Sequence, residues 1–430
     1  MSASVVRPLP YAADAGPGVA SRERVDSGAR LSAAVLGYLL LLIGALTLMP
    51  FEFTRPAVLR VVVGWSLRDV LLNVALFIPV GFLTRRAWRG NRDPLALASI
   101  GVAALASLTI EVLQLFEPSR FASPFDVAAN VAGAIVGVAL LEGVVRGQAT
   151  TEDELTTDVL LLQLPLMGLV YLLVPLLWVS ATAAEGDPAR LALTLCVGMT
   201  GASILGSVAR AMGPMTLDRR WWSVPVAAMI WALVGIGPAV RLEWHLAALT
   251  IVLVGLHAGW RGRLSAPPFQ ERRFEVPALL AATPWLALFL VGSAIWPARG
   301  FRTVPLWHWG LPTAEGGMAL MLPVIEALVG ATVLGYVIAE YQGRREYGFR
   351  TAWPRVVRWA LSILVGGEAL RSVLAYEGAS GLRLVLAFVA CVYGAWLYHL
   401  QREHVKVVAR RRREAIAAAE RHEVAATHVA

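Results

Sequence analysis

The chain has 430 residues, 57% of them hydrophobic and only 16% charged, with a formal net charge of +8 at pH 7. That is far more apolar than a soluble globular domain, so the expected fold class is all-α: a polytopic transmembrane helical bundle. Every basic residue except Lys406 is an arginine, and the arginines gather between the apolar runs, a pattern of cytoplasmic loops rather than of a nucleic-acid-binding surface.

In chain order, residues 1–30 carry Arg7, Arg22, Arg24 and Arg30 among Pro, Gly, Ser and Ala and read as a disordered cytoplasmic tail. A cleaved secretory signal is not expected behind so long a polar start. The first span is predicted at about 31–49, and the second at about 67–84, interrupted by Pro79. Arg85, Arg86, Arg89 and Arg92 then mark a cytoplasmic loop. Further spans are predicted near 95–116, 125–145, 158–181, 189–212, 223–240, 243–260, 276–296, 318–341, 354–376 and 382–400. The tail from 402 to 430 is basic at Lys406 and Arg410 to Arg413, then Ala/Glu-rich and predicted helical. With about twelve spans and both termini cytoplasmic, the basic segments at 85–92, 210–220, 261–273, 344–358 and 402 onward all fall on one side. The expected units are a four-helix unit at 31–150, middle helices of no recognised type at 151–275 and C-terminal helices at 276–401.

The first unit concentrates polarity where a bilayer rejects it. Asp69 and Asn73 lie four residues apart, Glu111 and Gln114 three apart, and Asp126 and Asn130 four apart, so each pair shares one helix face. The third stripe continues through Gly133 and Gly137, a small-residue step that lets membrane helices approach closely. Carboxylates at membrane depth are by default candidates for a functional site, whereas amides also serve as interhelical hydrogen-bond partners, and both readings stand for Asn73, Gln114 and Asn130. The expected topology puts all six in the outer half of the membrane, within roughly 10 Å of its edge at the rise of an α-helix. They are therefore expected to form one cluster, with Arg68 and Arg120 at the same edge neutralising part of its acidity.

The order Asp69, Asn73, Phe77, Pro79, Gly81, Glu111, Gln114, Arg120, Asp126, Asn130, Gly133 and Gly137 resembles the motif of the VanZ family of bacterial membrane proteins, over about residues 31–150. The resemblance implies a multi-pass protein of the bacterial inner membrane and cell envelope, and a link to glycopeptide resistance of the teicoplanin type. Asp69, Asn73, Glu111, Gln114, Arg120, Asp126 and Asn130 become the ligand-binding candidates, and Pro79, Gly81, Gly133 and Gly137 the helix-packing positions. The expected partners are membrane lipids and a lipid-linked cell-wall precursor or a lipoglycopeptide. A membrane enzyme acting on a lipid headgroup, with Glu111 or Asp126 as acid or base, and a transporter are the alternatives.

A fainter pattern repeats late in the chain. Pro297, Gly335, Glu368 and Gly394 follow in the order of Pro50, Gly81, Glu111 and Gly137, with Arg383 and Ala387 in place of Asp126 and Asn130, and Pro323 and Ala327 in place of Asp69 and Asn73. This reads as a degenerate VanZ-like repeat. Glu326, Glu340 and Glu368 are candidates for a proton path, with Arg371 as an intrahelical partner of Glu368. Cys196 and Cys391 lie in apolar runs and read as packing residues. The histidines lack metal-ligand spacing, and neither a nucleophile motif nor a cofactor fingerprint is present.

Overall fold

The computed structural model describes residues 17–55, 60–64, 66–88, 96–147, 158, 160–185, 187–211, 222–239, 244–264, 275–298, 300–310, 318–343 and 349–429. Among these, twelve α-helices form, and the fold is nearly all-α. An apolar chain in a bilayer satisfies its backbone polar groups within each helix, which is why long apolar runs become helices here.

The first four helices are α1 (Pro17–Leu48), α2 (Leu67–Trp88), α3 (Ala96–Gln114) and α4 (Pro124–Gly147). The middle four are α5 (Met167–Ala183), α6 (Leu191–Ala211), α7 (Ser223–Ile236) and α8 (Trp244–Arg263). The last four are α9 (Glu275–Ile295), α10 (Met318–Gly343), α11 (Phe349–Leu374) and α12 (Gly381–Val429). Two-residue strands, β1 (Trp307–His308) and β2 (Ala379–Ser380), pair in parallel.

Among the described residues eight helices are long and apolar enough to cross a membrane: α1 from Ser27, α2, α3, α4, α6, α9, α10 and the first part of α12. Two more apolar stretches, Met167–Ala183 and Ser223–Ala239, are shorter. The remaining helices, α8 and α11, carry arginines and histidines or a glutamate within their length, and composition does not mark them as spans. The expected tail at 1–30 differs in part as well: α1 begins at Pro17, so the second half of that segment is helical, while residues 1–16 lie outside the described residues. At the other end the helix predicted for the tail runs unbroken from the last span to Val429, with Arg412 paired to Asp158.

In the first unit α2 packs most closely on α4. A Cβ on Gly81 would lie 2.1 Å from the carbonyl oxygen of Ala134, and one on Gly137 would lie 2.0 Å from that of Ile78. Real side chains cannot stand there, so the absence of a side chain sets the helix separation. Gly133 faces α2 in the same way, against Val74. Ile43, Phe77, Val80, Ala103 and Ala134 from α1–α4 form a small core of their own.

In the last unit α10 packs on α12 through the same device: a Cβ on Gly335 would lie 1.8 Å from the carbonyl oxygen of Cys391, and one on Gly394 1.8 Å from that of Thr332. The loops repeat as well. In the first unit Val62 N–H donates to Ala122 O at 2.9 Å and Ala122 N–H to Arg60 O at 3.1 Å. In the last unit Ala379 N–H donates to Leu306 O and Leu382 N–H to Trp309 O, both at 2.9 Å. Met49–Pro50 and Trp296–Pro297, just past the ends of α1 and α9, are both cis peptides.

The middle helices join the last unit in one large apolar core that includes Leu173, Leu176, Val197, Ala232, Val254, Phe289 and Tyr336. Helix α6 is its hub, packing against α5, α8 and α9. The first unit is tied to the last where α1 meets α12, with Tyr393 Oη donating to Ala34 O at 2.6 Å.

Candidate functional site

The site is built on the connection between α3 and α4. Glu111 stands in the last turn of α3, and its Oε2 accepts the N–H of Ser123 at 2.7 Å. Ser123 is the N-cap of α4: its Oγ accepts the N–H of Asp126 at 3.4 Å, with Pro124 at the first helical position. Ser-Pro-x-Asp is a helix-start signature, and it fixes both ends of this junction.

The start of α2 is capped in the same style. Asp69 N–H donates to Ser66 Oγ at 3.1 Å, and Ser66 Oγ–H donates to Asp69 Oδ2 at 2.6 Å. One turn on, the Asn73 side chain lies beside the Asp126 carboxylate, and Asp126 lies close enough to both Asp69 and Glu111 to interact electrostatically. One turn further along α4, Asn130 Nδ2 donates to Ser107 Oγ at 2.9 Å, and Ser107 is itself one turn before Glu111 on α3. The other amide atom, Asn130 Oδ1, is buried without a hydrogen-bond partner.

Asp69, Asn73, Glu111, Asp126 and Asn130 therefore converge on one end of the α2–α3–α4 bundle. Exposure falls from rim to floor: Asp69 is exposed, Asn73 and Asp126 are half-buried, and Glu111 and Asn130 retain 7% and 5% of their surface. Among the described residues none of the three carboxylates forms an ion pair.

Gln114 and Arg120 go elsewhere. Gln114 Nε2 donates to Thr47 O at 3.1 Å, while Arg120 donates through Nε to Met49 O and through Nη2 to Leu46 O, both at 3.2 Å. These are carbonyls at the C-terminal end of α1, where a helix runs out of internal donors, so both side chains cap that helix. The expected neutralisation of the cluster by Arg120 is corrected accordingly. Burial lowers the pKa of its guanidinium from the ordinary value, partly offset by Glu117. Glu117 is a buried carboxylate that the helix-face pattern passed over: it lies in the loop after α3, accepting Glu52 N–H at 2.8 Å and Ser119 Oγ–H at 3.2 Å.

The last unit reproduces this frame with its charges changed. Glu368 Oε2 accepts Ser380 N–H at 3.0 Å across twelve residues, the separation that joins Glu111 to Ser123, and Ser380 Oγ accepts Arg383 N–H at 3.2 Å. At the position of Asp126 stands Arg383. Its Nε and Nη2 donate to the two oxygens of Glu368, each at 2.8 Å, and Nη2 also donates to Gly378 O at 2.9 Å. Arg371 lies 3.8 Å from Glu368, so the expected intrahelical pair is present but is secondary to Arg383.

Of the other expected proton-path residues, Glu326 is paired with the buried Arg190 at the start of α6. His257 shares a hydrogen bond with Ser203 at 2.9 Å, and His308 contacts Gly310 O at 2.7 Å. Among the described residues no group of three or more His, Cys, Asp or Glu side chains is placed to hold a metal ion. An apolar cavity of about 520 Å³ lies between α9, α10 and α11, lined by Leu286, Leu290, Leu334, Tyr341, Trp359 and Ile363, well separated in sequence from the acidic cluster.

Residues 20–145 match the family described as VanZ/LLP1. No curated protein and no solved structure matches the chain. The matched residues cover α2, α3, most of α1 and α4, and every member of the acid and amide cluster, so the N-terminal unit of the chain is similar to the VanZ/LLP1 family.

Proposed function

We propose that this chain is a multi-pass protein of the bacterial inner membrane whose N-terminal unit binds the polar part of an amphiphile. The ligand class is a lipid-linked cell-wall precursor or a lipoglycopeptide, and protection against teicoplanin-type glycopeptides follows from that binding. The observation that carries the reading is the convergence of Asp69, Asn73, Glu111, Asp126 and Asn130 at one end of α2–α4, graded from an exposed rim to a buried floor with an unpartnered acceptor on it. In the last unit, by contrast, both oxygens of Glu368 are held by Arg383.

In this reading about twelve helices span the bilayer, the shorter and more polar ones included, with both termini cytoplasmic and the cluster at the outer leaflet. Residues 276–401 are a degenerate VanZ-like repeat that has exchanged its site for an internal ion pair. The reading is tested by glycopeptide susceptibility of cells carrying wild type, Glu111→Gln or Asp126→Asn, with the membrane level of each protein measured in parallel. Normal accumulation with loss of protection is expected. Full protection by both variants refutes the assignment of the cluster to that phenotype.

A further inference from the structure

We infer that the group bound by the N-terminal cluster is a cationic nitrogen group, a guanidinium or a primary ammonium, seated where the C-terminal unit places the Arg383 guanidinium. The inference rests on the reading of the cluster as a ligand site and specifies the chemistry of what enters it. Three observations support it.

The first is the shared frame. Glu111 and Glu368 each hold the N-cap serine of the following helix through its backbone N–H, and each serine holds the N–H three residues on. In the C-terminal copy both oxygens of the glutamate are filled by a guanidinium in fork geometry, so the frame accommodates a planar cation beside that carboxylate.

The second is charge. The N-terminal copy has Asp126 where the internal cation stands and adds Asp69 where the other copy has Pro323. The result is three acids with no ion pair to them among the described residues, and Arg120 is engaged by the carbonyls of Leu46 and Met49. Asp69 is exposed, Asp126 half-buried and Glu111 buried; carboxylates gathered where water is partly excluded repel one another, and a cation between them removes the repulsion.

The third is the orphaned floor. Asn130 is 5% exposed, and among the described residues its Oδ1 accepts from nothing, one turn beneath Asp126 on the same face. A buried acceptor without a partner calls for a donor, and guanidinium and ammonium groups are donors only. The C-terminal copy, which supplies its own cation, has Ala387 at this place. The absence of any metal-holding arrangement among the described residues favours an organic cation over a metal ion.

The test uses the full-length protein in phosphatidylcholine nanodiscs, titrated calorimetrically with dodecylguanidinium, dodecyl phosphate, dodecyl glucoside and guanidinium chloride, with empty nanodiscs subtracted. Wild type should bind dodecylguanidinium saturably. Asp126→Arg, which installs the internal cation of the other unit, should weaken that binding by roughly tenfold or more while the protein unfolds at an unchanged temperature, and Asn130→Ala should weaken it less. If Asp126→Arg does not fold, Asp126→Asn is read in its place. Dodecylguanidinium binding that is indifferent to Asp126 overturns the inference. Binding of the phosphate or glucoside alone, dependent on Glu111 and Asp126, overturns it while leaving the amphiphile site standing. If no amphiphile binds in a cluster-dependent way and guanidinium chloride does, the cation inference holds and the amphiphile reading falls.

Discussion

The N-terminal and C-terminal helix quartets share a frame and differ in what they do with a buried carboxylate. Glu368 is closed off by Arg383, which is itself 1% exposed, and by Arg371 behind it. Glu111, in the same place relative to its N-cap serine, has a second acid instead of an arginine and a lane of falling exposure leading to it. At the position of Asp126 the following helix of the last unit carries Arg383, which closes that junction onto Glu368, while the acids of the first unit keep no ion pair among the described residues. The buried pair is costly to desolvate, and the geometry has to be good to offset that cost, which the two 2.8 Å hydrogen bonds supply.

The most direct way to break this comparison is to remove the C-terminal cation. Arg383→Ala leaves Glu368 buried with Arg371 only at 3.8 Å, and thermal unfolding in detergent should register a loss of about 3–5 kcal/mol. Replacing both partners by leucine should recover only part of it, because the two charges leave together while the Ser380 N–H and Arg371 lose their acceptor. A smaller effect is expected at the helix crossings. Gly137→Leu and Gly394→Leu drive a side chain into the carbonyls of Ile78 and Thr332, and each should cost about 1–3 kcal/mol or more by the same assay. Equal losses in the two units would sharpen the case that the crossings are equivalent.

Smaller again are the caps: Ser123→Ala and Ser380→Ala should each lower stability by about 1 kcal/mol, since each removes the acceptor for one N–H at a helix start. The smallest effect on stability is expected at the rim. Asp69→Asn, at an exposed position, should stay within about 0.5 kcal/mol of wild type while weakening ligand binding. A large stability loss there would make Asp69 a structural residue and narrow the site to Glu111, Asp126 and Asn130.

Much of the site was legible before any coordinates. Helical spacing put each acid and its amide on one face, and alternating topology brought the three faces to one end, because a bilayer forces consecutive spans to reverse direction. Gln114 shares the spacing of Glu111 but turns to the C-terminal end of α1, and Arg120 follows it. Spacing along one helix says nothing about which neighbour lies opposite, and the unsatisfied carbonyls of α1 outcompeted the acids for those donors. Ser107 stands one turn before Glu111 on the same helix face and reads from the sequence as a small packing residue, whereas Ser123 is marked by the Ser-Pro-x-Asp helix start.

The repeat followed the same division. Its glycines and Glu368 stood in the sequence at matching intervals, yet the pairing of Glu368 with Arg383 across the loop between α11 and α12 was not readable, and Arg371 three residues away was the nearer guess. The count of spans was also only partly given by hydropathy, since α8 and α11 are helical yet carry too much polarity to be marked as spans by composition.

The sequence by itself determined that this is a membrane-embedded helical protein, where its polar residues are concentrated and which glycines keep helices close, because hydropathy and side-chain size act locally along one helix. Tertiary structure alone decided which polar group meets which partner. That choice depends on the geometry between helices: among the described residues it left Glu111 and Asp126 without an ion pair and gave one to Glu368, from residues that the chain presents in nearly the same order.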